Sequence, residues 1–336
     1  MNTAFYSPTD GRWSPNDAAW WVSGNAFQSL LDYMSKTGTR GSYTDQALQI
    51  FNTQRAPVPW WPQGGGEFRA DSTDDTGWWA LAMVRMFDLT GDQSYLNISM
   101  LDEAYISQYW SDSVCAGGVY VDIRALSYKN AIANQLYVQL CAALHNRIPG
   151  DTVYLERAVT GWGWLRASGM VNDDGLFNDG LAMREDNTCF NNGLPVWTYN
   201  QGVILGAAAE LYRATKDTSY LTFARQIADS VLSSKSLIQN DGILTESCET
   251  DDHPTGCNGD QQIFKGIFAR NLADLDSLVE GRPYRSFLEA NARRAYSNDR
   301  AGGGGSDLYD VSWAGPYVAS SLAKQASVLS LWVALI

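Results

Sequence analysis

Histidine is nearly missing from this sequence. His145 and His253 are the only two, so a Ser-His-Asp or Cys-His mechanism, or a zinc site built on several imidazoles, has almost no raw material. His145 ends a helical run and His253 sits in a Cys-flanked loop, and both read as structural. Chemistry in this chain is therefore expected to run on Asp and Glu. Positive charge is scarce too: 24 Lys and Arg face 37 Asp and Glu, a formal charge of −13. Phosphate contacts need a cationic surplus, which argues against nucleic acid and against an anionic membrane surface as partners. Apolar runs stay short of the roughly 20 residues of a membrane span, and strand-like alternation is nearly absent. Met1 to Pro15 is polar, with Pro8 and Pro15, and does not read as a signal peptide; the expectation is a mature chain.

What is present points to a packed, exported protein that handles a neutral ligand. Hydrophobic residues make up 45% and charged residues 18% of the chain, a composition that builds a core. No segment reads as a linker, so residues 1–336 are expected to form one domain, and a monomer. Thirteen Trp and seventeen Tyr beside many carboxylates suit a hydroxyl-rich ligand such as a sugar. Cys248 and Cys257 enclose a short polar loop and make the most natural disulfide, with Cys115 and Cys189 as the second; sequence alone leaves the connectivity open. Cys141 lies in an apolar run and reads as a buried thiol. Asn97-Ile98-Ser99 is one glycosylation acceptor. Together these favour an extracellular location.

A repeat sets the architecture. Connectors recur at Thr90-Gly91-Asp92, Pro149-Gly150-Asp151 and Thr215-Lys216-Asp217, each leading to Tyr-Leu, with weaker copies before Tyr43 and Tyr284. Each offers Gly or Asp where a helix stops and a capping residue where the next begins. Runs before the connectors are apolar nearly all round, and runs after them are amphipathic. Six inner helices are expected to begin near Asn16, Asp74, Lys129, Tyr199, Gln261 and Ser312, five of them followed by outer helices. Such hairpins close into an all-α (α/α)6 barrel. Long loops at residues 53–73, 108–127, 169–197, 235–260 and 298–311 then gather at one end, where a substrate groove is expected.

The strongest candidate chemistry is Asp71-Ser72-Thr73-Asp74-Asp75-Thr76-Gly77-Trp78-Trp79. Two adjacent carboxylates stand at the start of a buried helix. The helix terminus favours anions, while burial and mutual repulsion keep one carboxyl protonated. One ionised and one protonated acid is what glycoside hydrolysis uses; the bland alternative is two solvated capping acids. Neighbouring helix residues point about 100° apart, so a distortion of the loop or of the first turn is expected to bring both onto one bond. Asn172 to Gly180 lacks the spaced acids of a calcium loop and reads as a Gly-Asp turn. Asn130 and Asn134 fall on one face at the mouth of an inner helix, where amides either bind hydroxyls or cap loops. Trp197, Tyr199, Asn200 and Gln201 share that ambiguity. Trp60 and Trp61 are candidate stacking platforms or simple packing residues. Glu246, Glu249, Asp251, Asp252 and Asp260 read as a solvated acidic loop, or as the border of a distal subsite.

Asp74-Asp75-Thr76-Gly77-Trp78-Trp79-Ala80-Leu81-Ala82 resembles the signature of glycoside hydrolase family 76, the endo-α-1,6-mannanases. Tyr128-Lys129-Asn130-Ala131-Ile132, Asn178-Asp179-Gly180-Leu181, Trp197-Thr198-Tyr199-Asn200-Gln201-Gly202 and Phe264-Lys265-Gly266-Ile267-Phe268 follow in the same order. The resemblance implies an (α/α)6 barrel, retention of configuration and neither metal nor cofactor. It implies α-mannan or a mannosylated wall glycan as substrate, with no obligate protein partner. By position Asp74 is the nucleophile and Asp75 the acid/base, Asp179 binds hydroxyls in the central subsite, and Lys265 belongs to the binding set. Some fungal members look like transglycosylases that join GPI-anchored proteins to wall glycan. Rivals from other classes are a Mg-dependent prenyl cyclase, which needs cations for diphosphate, and a non-catalytic glycan-binding protein.

Overall fold

A computed structural model describes residues 1–239, 241–249, 256–302 and 307–336. A short helix α1 (Asn2–Phe5) and a small hairpin, β1 (Tyr6–Ser7) with β2 (Arg12–Trp13), precede the main helices. These are α2 (Trp20–Thr37), α3 (Ser42–Gln54), α4 (Thr73–Thr90), α5 (Gln93–Ser107), α6 (Ala131–His145), α7 (Val153–Ala167), α8 (Thr198–Thr215), α9 (Ser219–Ser233), α10 (Phe264–Leu278), α11 (Arg285–Asn298) and α12 (Leu322–Ala334). A second hairpin, β3 (Leu181–Met183) with β4 (Cys189–Asn191), lies in the loop before α8. Each even-numbered helix from α2 to α12 packs on the next, and α12 packs on α2, so six inner helices close a ring. Helices α3, α5, α7, α9 and α11 pack outside it. This is the (α/α)6 barrel that the hairpin repeat implies.

The connectors work as their composition suggests. Gly91 ends α4 with φ 73°, a left-handed conformation that costs glycine little, and its N–H donates to Phe87. Asp92 then accepts from Ser94 N–H, Asp151 from Val153 and Tyr154, and Asp217 from Ser219. The recurring tyrosine docks on the preceding outer helix: Tyr95 meets Phe51, Tyr220 meets Trp162, and Tyr284 donates to Asp229. The first and last inner helices start later than expected, at Trp20 and Leu322. Before α12, the Asp310 carboxylate accepts from Val318 and Ala319 and holds that stretch off the helix until Ser321 caps it. His145 pairs with Asp151 across the α6–α7 turn. His253, Asp251 and Asp252 lie outside the described residues.

A second repeat holds the long loops. The fourth residue of five inner helices is polar and bonds the backbone of the segment before it. Ser23 donates to Trp13, and Thr76 accepts from Ala70. Asn134 brackets Val119, Gln201 brackets Phe177, and Gln325 accepts from Tyr309 while donating to Asp307. In α10 that position is Ile267, and the buried Lys265 donates to Leu244 and Val311 instead. Buried backbone groups must be paired; these side chains pair them without strands.

Candidate active site

The loops so anchored converge on the N-termini of the inner helices. Ser72, extended at φ −126°, caps α4 by accepting from Asp75 N–H. Asp74 and Asp75 are thus the second and third residues of a regular first turn, so of the two expected distortions the one in the first turn is absent. The Asp74 side chain folds back over the helix end instead: its Oδ1 accepts from Asp75 N–H at 3.0 Å and from the Ser72 hydroxyl. Among the described residues no donor reaches the Asp75 carboxyl. Residues 71–73 pair with the 108–130 loop through Thr73 N–H to Val121 and Ile123 N–H to Asp71, which fixes the pair's height in the mouth.

Electrostatics separates the two acids. Burial raises the Asp74 carboxyl above the usual range, and the bonds from Ser72 and Asp75 N–H partly offset it. Asp75 is pushed much further up, first by burial, then by Asp74, Asp260 and Asp71. Asp260 precedes α10 and accepts from Trp21 Nε1 at 2.9 Å. Its sequence neighbourhood suggested a solvated acidic loop; Asp260 is exposed, and the fold also brings it within electrostatic reach of the acid pair. Trp21 stacks on Trp78 at 5.7 Å and leans on Phe264, forming an aromatic wall between them.

Across the mouth, Asp179 is placed by strand-like pairing of its segment with residues 129–131: Ala131 N–H donates to Asp179 O, and Leu181 N–H to Lys129 O. Tyr128 donates its hydroxyl to Asp179 Oδ2 at 2.5 Å and accepts from Asn192. Burial raises the Asp179 carboxyl; Tyr128 and Asn200 partly offset that. Asn200 is fully buried beside it, yet neither amide atom meets hydrogen-bond geometry with a described protein group. Tyr199 stacks on Phe264 with ring centroids 3.8 Å apart, and Trp197 meets the same ring edge-on. Burial, then Asp179, Asp74, Tyr128 and Asp260, hold the Tyr199 phenol neutral, so this hydroxyl is common ground between the acid pair and Asp179.

Several candidates turn out to be committed elsewhere. Asn134 and Gln201 use their amides on loop backbone, and Lys265 is buried between Leu244, Val311 and Glu249 at 2.5 Å; none has a group left for a sugar. Asn130 spends its side-chain oxygen capping α6 through Ala133 N–H. Trp61 is packed against the core and donates to Tyr105, whereas Trp60 is 47% exposed and donates to Asp71 at the rim. Glu246 and Glu249 are not solvated: Glu246 is buried and accepts from Thr198 at the start of α8, and Glu249 faces Lys265. Cys115 joins Cys189 and Cys248 joins Cys257, with Cα atoms 5.0 and 4.8 Å apart, and Cys141 is a buried thiol against Glu103. Sequence reasoning missed Trp21, Asn192 and the role of Asp260; the last stands four residues before a family-like block, its one local signal.

A helical barrel whose mouth sets two carboxyls of unequal acidity among aromatic rings is the arrangement of a glycoside hydrolase. Residues 2–336 match the model of Glycosyl hydrolase family 76, and the chain belongs to that family. It is 30% identical over 269 residues to mannan endo-1,6-alpha-mannosidase DFG5 of Saccharomyces cerevisiae, covering 75% of this chain and 56% of that protein. With the DFG5 protein of Candida albicans it shares 26% identity over 349 residues, 98% of this chain and 75% of the relative. The chain thus spans between about half and three quarters of the curated relatives it matches. Among solved structures, the GH76A alpha-1,6-mannanase of Salegentibacter sp. HEL1_6 superposes with a TM-score of 0.86 at 25% identity, over 99% of this chain and 95% of that one.

Proposed function

We propose that this protein is an endo-acting, retaining α-1,6-mannanase in which Asp74 is the nucleophile and Asp75 the acid/base. The observation that carries the assignment is the asymmetry of the pair. Asp74 accepts two hydrogen bonds that favour its charged form, while Asp75 accepts none among the described residues and faces three carboxylates. Asp74 attacks the anomeric carbon as Asp75 gives its proton to the departing glycosidic oxygen, leaving a mannosyl ester on Asp74. Asp75, now ionised, takes a proton from the water that displaces the ester, so both groups return to their starting states. Asp179, Tyr199 and Asn200 contact hydroxyls of the bound sugar, and Trp197 and Trp60 offer apolar faces along the groove. The substrate is the α-1,6-linked backbone of mannan or of a mannosylated wall glycan, in keeping with the names of the relatives. Residues 1–336 act as one catalytic domain of a monomeric, extracellular or wall-associated protein that uses no cofactor, and two disulfides suit that location.

Incubation with linear α-1,6-mannan and sizing of the products tests this directly. Short α-configured mannooligosaccharides are expected from the wild-type chain, and losses of about 10³-fold or more from Asp74→Asn and Asp75→Asn. Products longer than the starting chains identify a transglycosylase using the same pair. Near-normal cleavage by either variant sinks the assignment.

A further inference from the structure

The barrel has a second polar cavity at the end away from the acid pair. It measures about 380 Å³ and is lined by residues from the middle and C-terminal parts of inner helices, among them Gln28, Asp32, Arg85, Arg270, Asp274 and Ser330. Most of its charges are paired. Arg85 meets Asp32 at 3.3 Å, Asp274 is held by Arg213, and Arg282 at the rim meets Asp276 at 3.4 Å. Arg270 is the exception. Its Nη2 donates to the neutral Asn25 Oδ1 at 2.9 Å, its Nη1 is buried without any partner, and among the described residues it forms no ion pair. Gln28, which also lines the cavity, is 5% exposed, and its Oε1 has no partner among the described residues. Lys36, at the exposed rim, donates to Val333 O and likewise has no ion pair among the described residues.

Cations at this end have an ordinary explanation, since the six inner helices present their C-termini here and attract positive charge. It covers Lys36, in the last turn of α2. It does not cover Arg270, the seventh residue of the fifteen in α10, because the dipole effect fades within the last turn. A buried guanidinium with no anion is costly; burial pushes it down to about 10 from its ordinary value, with Asp32 opposing and Arg85 adding to the shift. The space in front of it exceeds many times the roughly 30 Å³ share of one water. We infer that this cavity is a binding site for a small oxyanion, a phosphate or carboxylate group held by Arg270 and admitted past Lys36 and Arg282. Guanidinium binds such groups through parallel N–H donors, and Nη1 is the donor left over.

Calorimetric titration of the intact chain with inorganic phosphate, and separately with acetate, at constant ionic strength made up with sodium chloride tests this. Saturable binding of at least one of the two is expected in the wild type, weakened about tenfold or more in Arg270→Gln and unaltered in Asp75→Asn at the opposite end. Which anion binds decides between a phosphate and a carboxylate group. No saturable binding of either overturns the assignment, as does binding that Arg270→Gln leaves unchanged. Should circular dichroism show that variant unfolded, Lys36→Gln at the exposed rim decides: a several-fold loss upholds the site, and unchanged affinity overturns it.

Discussion

The two ends of the barrel are built from the same six helices and carry opposite charge. The mouth gathers Asp71, Asp74, Asp75, Asp179 and Asp260 where inner helices begin; the far end gathers Lys36, Arg85, Arg147 and Arg213 where they run out. Parallel inner helices expose N–H groups at one end and carbonyls at the other, and each end recruits the sign that suits it. The handling of buried acids differs more deeply. Asp274 at the far end is pushed up by burial, yet finishes below the usual carboxylate range because Arg213 donates to it, with Arg85 and Lys36 nearby. Asp75 at the mouth is raised by burial and by the carboxylates of Asp74, Asp260 and Asp71, and finishes far above that range. A pair of opposite charges is a stable structural element; a crowd of like charges stores a proton. The far end spends its charges on pairing, and in the proposed function the mouth's unpaired acid serves acid–base chemistry.

Charge removal at either end breaks the comparison if it is wrong. Asp75→Asn should cost mannan cleavage about 10³-fold with little loss of stability, whereas Arg213→Gln should lower unfolding free energy by about 1–2 kcal/mol and leave kcat/KM unchanged. Urea melts and initial rates read both; a large activity loss in Arg213→Gln contradicts the division. Next in size is Lys129, a buried cation inside the mouth whose ammonium donates to Ser111, Val114 and Gly117 carbonyls and sits 4.7 Å from the Tyr120 ring. Lys129→Met strands those carbonyls and should destabilise by about 3 kcal/mol. A loss under about 1 kcal/mol in chemical denaturation shows that the 108–130 loop is held by something else.

A subtler variant is Asp260→Asn. Removing one of the negative neighbours of Asp75 lowers its carboxyl toward the usual range, so the proton donor ionises earlier and the basic limb of the kcat/KM profile moves to lower pH. The residues facing Asp75 are Asp74, Asp260 and Asp71, the last paired with Arg124 at 3.0 Å. An unmoved limb, with only a uniform drop in rate, removes Asp260 from the proton balance. The smallest effect concerns Glu246, raised to about 8 by burial, with Glu249 adding to the shift and Thr198 and Lys265 opposing it. The unfolded chain releases this proton near pH 4.5 and the folded chain only near 8, so stability contributed below that window is lost as pH rises through it. Glu246→Gln keeps an acceptor for Thr198 and should flatten the fall in Tm between about pH 5 and 8. An identical slope in both proteins counts against a neutral buried Glu246.

Much of the fold was legible. Helix stops at Gly91 and Lys216, caps at Asp92 and Asp217 and all-round apolar runs such as Ala131 to Ala143 are local signals, and the structure uses them locally. The acid pair was legible for the same reason: Ser72 and Asp75 share one turn. Asn134, Gln201 and Lys265 stayed ambiguous because an amide or ammonium at a helix mouth has the same chemistry whether it meets a sugar or a carbonyl. Their repetition at one helical position was the available clue. Asp260 could not be read, since its neighbours Asp74 and Asp75 lie some 185 residues away in the chain.

By itself, the sequence determined the hairpin repeat and the position of the acid pair at the head of its helix, because each rests on contacts within a few residues. Only the tertiary structure decided which polar groups are consumed in holding loops and which remain free. It also decided which acids are paired and which are crowded. Those outcomes depend on what stands opposite a side chain across the barrel, and burial, which turns proximity into a pKa shift, exists only once the ring has closed.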